Sequence, residues 1–109
     1  MTAQEFRNLA LSFPGTEEAP HFDRAAFKVI KKRIFATLHE PDGTANVKFS
    51  EIDQAVFCSF DKNAVYPVPN KWGQQGWTTF ELAQLPTELV FDALETAYKE
   101  VLKPKPRRR

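Results

Sequence analysis

The sequence has one cysteine, two histidines and four glycines in 109 residues, and its fifteen Lys and Arg only just outnumber its fourteen Asp and Glu. Each scarcity excludes something. A lone Cys58 forms no internal disulfide and fits a reducing compartment. His21 and His39 do not form a helical ligand pair, and no His/Cys spacing matches a zinc site, so no metal or cofactor is expected. Four glycines leave no phosphate loop: Gly73-Gln74-Gln75-Gly76 is not followed by Lys and Ser or Thr. No Gly-x-Ser-x-Gly surrounds Ser12, Ser50 or Ser59. No apolar run approaches the ~20 residues of a membrane span. Gln4, Glu5 and Arg7 interrupt the only stretch that could serve as a leader, so a cytoplasmic protein is expected.

What is present suits one globular domain. The chain is 42% hydrophobic and 13% aromatic, with ten Phe to supply core volume. Thr2 with Glu5 three residues later forms a capping-box pattern. Phe6, Leu9, Ala10 and Phe13 follow on one helical face, and Pro14-Gly15 ends it. Ala25, Phe27 and Val29 alternate with Ala26, Lys28 and Ile30. Ile34, Ala36 and Leu38 alternate with Phe35, Thr37 and His39, and Ala45, Val47 and Phe49 follow the Pro41-Asp42-Gly43 turn. Three strands in a meander are predicted, with Glu17 to Phe22 as a further edge strand held to the rim by Pro20. Ser50 and Asp53 open a short helix expected to turn Ile52, Ala55, Val56 and Phe60 inward. Ala64 to Val68 is a short edge strand at most, and Trp77 to Leu82 is a strand. Pro86 introduces a last helix, reaching Leu102, with Leu89, Val90, Ala93, Leu94, Ala97, Tyr98 and Val101 inward. The expected fold is α+β: a two-layer antiparallel sheet with helices on one face, in the order α-β-β-β-α-β-α. Residues 1–102 form the single domain and 103–109 a basic tail expected to be disordered.

Charge is unevenly placed. Residues 1–102 carry ten basic and fourteen acidic side chains, or −4. Lys28, Lys31, Lys32 and Arg33 form one basic cluster without an acid, and the tail holds Arg107, Arg108 and Arg109. Two cationic spots on an acidic body suit a polyanion such as DNA, bound through phosphates, with Lys48 and Lys71 as further contacts. The plainer alternative is a solvated hairpin turn and a frayed tail. Lys71-Trp72-Gly73-Gln74-Gln75-Gly76-Trp77-Thr78 brings two indoles, a cation and amides together. Trp72 and Trp77 either stack on a ligand such as a nucleobase or cap the core, the commoner role of Trp. His21 similarly either faces a pocket or bonds a backbone carbonyl. Cys58, between Phe57 and Phe60, is expected to be a buried inert thiol. No catalytic constellation is visible, and no enzyme is expected.

Several of these stretches resemble the MmcQ/YjbR family: Gly15 to Asp23, Phe27 to Val29, Ile34 to Leu38, the block Lys71 to Thr78, and Glu95 to Tyr98. The likeness runs from about Phe6 to Leu102 in the family's order, and the block around the two Trp is its most specific part. It implies a CyaY-like fold, shared with bacterial frataxin and secretion chaperones. It also implies a bacterial protein that binds DNA through β-hairpin wings, here Val29 to Ile34 and His39 to Thr44, and it brings no catalytic residue with it. The alternative partner is another protein, held chaperone-like or adaptor-like by the Trp-rich loop. A third reading is iron handling by analogy with frataxin, which needs carboxylates on the first helix, where only Glu5 stands. No membrane partner is expected.

Overall fold

The computed structural model describes residues 1–103; the expected contacts Arg107, Arg108 and Arg109 lie outside them. The chain runs α1 (Ala3–Leu11), β1 (Thr16–His21), β2 (Arg24–Val29), β3 (Ile34–His39), β4 (Thr44–Lys48), α2 (Glu51–Cys58), β5 (Val65–Pro67), α3 (Lys71–Gln74), β6 (Trp77–Glu81) and α4 (Thr87–Leu102). The strands form one antiparallel sheet in the order β1-β2-β3-β4-β6-β5. The fold is α+β, as expected, and both doubtful edge strands, β1 and β5, form at its rims.

Local chemistry places these elements as read. The Thr2 hydroxyl accepts from the Glu5 N–H while the Glu5 carboxylate accepts from the Thr2 N–H, a complete capping box. Gly43, at φ 67°, closes the short 3-10 turn Glu40–Asp42 between β3 and β4. Ser50 accepts from the Asp53 N–H at the start of α2.

All the longer helices lie on one face of the sheet. Phe6 of α1 meets Phe27 of β2 edge-on, ring centroids 5.9 Å apart. Phe57 of α2 stacks on Phe49 at 4.8 Å and 7°. Tyr98 of α4 packs on Phe13 and Phe35. Phe6, Phe27, Phe35, Phe49 and Phe80 fill this core, with Leu38, Val47, Leu82, Val90 and Leu94 between them.

Two expected faces are corrected. Strict alternation would point Phe35 away from Ala36, yet Phe35 is buried against Tyr98. A register irregularity at Phe27/Lys28, where Phe27 pairs Ala36 and Lys28 pairs Ile34, leaves Phe35 as the extra residue and returns its ring to the core. In α2 the expected inward set is outside: Ile52, Val56 and Phe60 are 76%, 59% and 56% exposed, and Ala55 is exposed too. Phe57 and Cys58 pack inward instead, because the stack of Phe57 on Phe49 and its contact with Phe80 set the rotation of the helix.

The glycines of the Trp-rich loop are explained by close backbone approach rather than by a phosphate. A Cβ on Gly73 would come within 1.8 Å of the Val68 carbonyl oxygen, and one on Gly76, at φ 107°, within 1.9 Å of the Phe49 carbonyl oxygen. Gln54 Nε2 of α2 reaches the same loop, donating to the carbonyl of Gly73 at 2.9 Å and to Thr78 Oγ1 at 3.1 Å. The loop is thereby clamped from two sides. Gly76→Ala combines a forbidden φ with a backbone collision and is expected to destabilise the fold by at least ~2 kcal/mol, read as a lower urea midpoint at unchanged m-value. A midpoint equal to wild type would remove the close approach.

Candidate functional site

The second face of the sheet carries none of the longer helices. The pairing register places His21 opposite Arg24, Ala26 opposite Thr37, Thr37 opposite Asn46 and Asn46 opposite Thr79 on it, with Trp77 two residues before Thr79 along β6. A cleft of about 400 Å³ crosses this face, lined by His21, Phe22, Asp23, Arg24, Thr37, Asn46, Val68, Trp72 and Trp77. The volume falls within the ~300–1,000 Å³ usual for ligand sites. Right-handed sheet twist brings diagonal corners toward each other, so the β1–β2 turn forms one wall and α3 the other.

The walls are aromatic and the floor is polar. Phe22 is 95% exposed and holds φ 60° in a two-residue turn where glycine is the usual occupant. The His21 ring meets it edge-on at 4.9 Å. Across the cleft Trp72 is 58% exposed, on a loop fixed by Asn70, whose side-chain oxygen accepts from the Trp72 N–H at 2.8 Å. On the floor Arg24 Nη1 donates to Thr37 Oγ1 at 3.3 Å, and Thr79 Oγ1 donates to Asn46 Oδ1 at 2.8 Å. A guanidinium has five N–H groups and an amide NH₂ has two, so donors remain for a ligand.

These contacts bear on two alternatives the sequence leaves open. Neither indole caps the core: Trp72 and the half-buried Trp77 both line the cleft on the second face of the sheet. His21 is exposed beside Phe22 instead of bonding a carbonyl. Phe22, Arg24, Thr37 and Asn46 escaped the sequence reading as site residues. Their signal was there: a two-residue turn without Gly or Asn, and small polar residues in phase with Arg24 and Lys28.

The basic residues gather at one end of the strands. Consecutive turns of a meander alternate between ends, so the β2–β3 turn with Lys31, Lys32 and Arg33 lies opposite the β1–β2 and β3–β4 connections, which carry Asp23, Glu40 and Asp42. The two expected wings therefore sit at opposite ends of the sheet, and the second is acidic. Glu40 there accepts from Arg7 at 3.1 Å, which holds its carboxyl below the usual carboxylate range. Lys31, Lys32 and Arg33 are exposed and form no ion pair among the described residues, whereas Lys28 is 3.7 Å from Glu17. Lys48 is half-buried; burial pushes its ammonium below the ordinary lysine range, the Arg33 charge adds to this, and Glu100 opposes it. Lys71 is exposed at the first position of α3. Lys103 is engaged by Glu100 at 3.3 Å.

Two other groups bear on chemistry. Burial raises the Cys58 thiol above its ordinary value, which keeps it protonated and a poor nucleophile. Tyr66 donates to Glu81 on the helix-free face, and its phenol is pushed up to about 12. Among the described residues no three His, Cys, Asp or Glu converge as metal ligands, and no helix is long and apolar enough to cross a membrane.

The left-handed conformation costs Phe22 ~1–2 kcal/mol, against ~0.5–1 kcal/mol of additional chain entropy lost on folding by a glycine. Phe22→Gly is thus expected to stabilise the fold by ~0.5–1 kcal/mol, seen as a raised thermal midpoint. A lowered midpoint would show that the ring makes structural contacts.

The family model described as YjbR matches residues 11–100. The crystal structure of the Deinococcus radiodurans protein DR2400, described by the domain DUF419, superposes with a TM-score of 0.80 at 22% identity, over 94% of this chain and 79% of that one. At that identity the likeness is one of fold. No functionally curated protein matches the sequence.

Proposed function

The chain belongs to the YjbR family, and on that premise we propose that it is a non-enzymatic DNA-binding protein whose basic strand end holds the phosphate backbone. The observation that carries this reading is the segregation of charge along the strands. Lys31, Lys32 and Arg33, exposed and without an ion pair among the described residues, stand at one end, and Asp23, Glu40 and Asp42 at the other. An acidic body would repel a polyanion unless its cations were gathered to one side. Lys71, exposed at the start of α3, is a further expected phosphate contact, as are Arg107, Arg108 and Arg109, whereas Lys48 is half-buried beside Glu100 and contributes less. One basic turn grips from one side, so the pair of wings is not part of this reading.

Phosphate contacts of this kind position a protein without reading bases, and affinities of ~10⁻⁴–10⁻⁶ M at physiological salt follow. Replacing Lys31, Lys32 and Arg33 together by Ala is expected to lower duplex affinity and flatten the plot of log K against log salt by up to about three units, roughly 0.9 per lost phosphate contact. Fluorescence anisotropy across a salt series measures this, and an unchanged slope would remove the turn from the reading.

A protein partner is the second reading, favoured by the outer ridge of α2. Ile52 and Val56 lie on one side of the helix at i and i+4, and Phe60 follows just past its end, each more than half exposed. Light scattering of the purified chain against its Ile52→Glu/Val56→Glu variant tests the ridge as a self-association surface. A dimer lost in the variant supports this reading, and a monomer in both removes a second copy as the occupant.

A further inference from the structure

We propose that the cleft between Phe22 and Trp72 takes an unpaired base of single-stranded DNA, so that the protein prefers a single strand to a duplex. The proposal rests on the DNA-binding reading and adds to it a ligand for the cleft. Three observations converge. The first is the pair of aromatic walls: Phe22 and Trp72 offer flat apolar surface to solvent across one cleft, where a soluble domain ordinarily buries such rings. Base–aromatic stacking uses surfaces of this kind, and it requires bases that are not already stacked and paired.

The second is the floor. A stacked base presents donors and acceptors along its edge, and Arg24, Thr37 and Asn46 lie beneath the rings with hydrogen-bonding capacity to meet them. A purely apolar partner would leave these groups buried without partners, at a cost that disfavours it. The third is continuity with the cationic end. Trp77 lines the cleft and is the register partner of Lys48, the last residue of β4, at the strand end where the β2–β3 turn lies; the Lys48 side chain itself is half-buried beside Glu100 of α4. Along β2, Arg24 and Lys28 are four residues apart, ~13 Å at ~3.3 Å per residue. Bases in the cleft and phosphates on Lys31, Lys32 and Arg33 thus belong to one extended strand crossing the face. The closed stack of a duplex offers no free base to enter between the rings.

The strain at Phe22 fits this role. A ring held outward at an unfavourable φ serves the folded state poorly and a stacking ligand well.

The test compares a labelled thymidine decamer, a duplex of the same length and an abasic decamer, titrated by anisotropy at low salt. The proteins are wild type, Trp72→Ala, Trp72→Phe and the triple Ala variant of Lys31, Lys32 and Arg33. Expected are tighter binding of the thymidine strand than of the duplex, and at least about a fivefold loss of strand affinity in Trp72→Ala, the lower end of single-base stacking. Duplex affinity should stay within about twofold, Trp72→Phe should recover most of the loss, and the abasic strand should bind wild type and Trp72→Ala alike. Duplex binding that needs the basic turn, together with a strand affinity indifferent to Trp72, would overturn the cleft and leave the DNA reading standing. Absence of binding to all three nucleic acids would overturn both.

Discussion

A β-strand sends successive side chains to opposite faces, and here α1, α2 and α4 all cover the same one. Everything else in the molecule follows from that asymmetry. The covered side takes the phenylalanines and aliphatic residues and holds the fold together. The other side is free of packing demands, so it carries Arg24, Thr37, Asn46, Thr79 and Tyr66 as hydrogen-bonded pairs and rows. A sheet face left open is a platform, and its ends and edges decide what rests on it.

Those ends are made different by the meander. Every turn reverses the chain, so neighbouring turns cannot share an end. The acidic connections with Asp23, Glu40 and Asp42 are therefore kept away from Lys31, Lys32 and Arg33 by a strand's length. Ion pairing reinforces the division: Arg7 is drawn to Glu18 and Glu40 and is spent within the protein, while the cations of the β2–β3 turn are left to solvent. A net charge near zero thus conceals one exposed basic turn, beside which Lys28 is already paired with Glu17.

Much of this was legible in the sequence. The capping box at Thr2, the alternation of Ala25, Phe27 and Val29, and the spacing of Val90, Ala93, Leu94, Ala97 and Val101 each report a local rule that the fold obeys. The failures are equally local. Phe35 departs from the alternation because a one-residue irregularity in β3 inverts parity, and alternation has no memory of an insertion. The faces of α2 were exchanged because eight residues with apolar groups nearly all round have no strong stripe, and a stacked pair of rings settled the rotation. The cleft was half visible. Trp72 and Trp77 stood out by composition, whereas Phe22 joins them through sheet twist, a tertiary effect that no short window of sequence contains.

Gln54 links the two sides of the molecule. Its side chain extends from α2, on the covered side, to the loop that presents Trp72 on the other, and donates to that loop at both Gly73 and Thr78. The seat of one short helix is therefore the datum from which the opposite aromatic wall is measured. The backbone that carries Trp72 is thus tied to the same helix whose Phe57 stacks on Phe49 in the core.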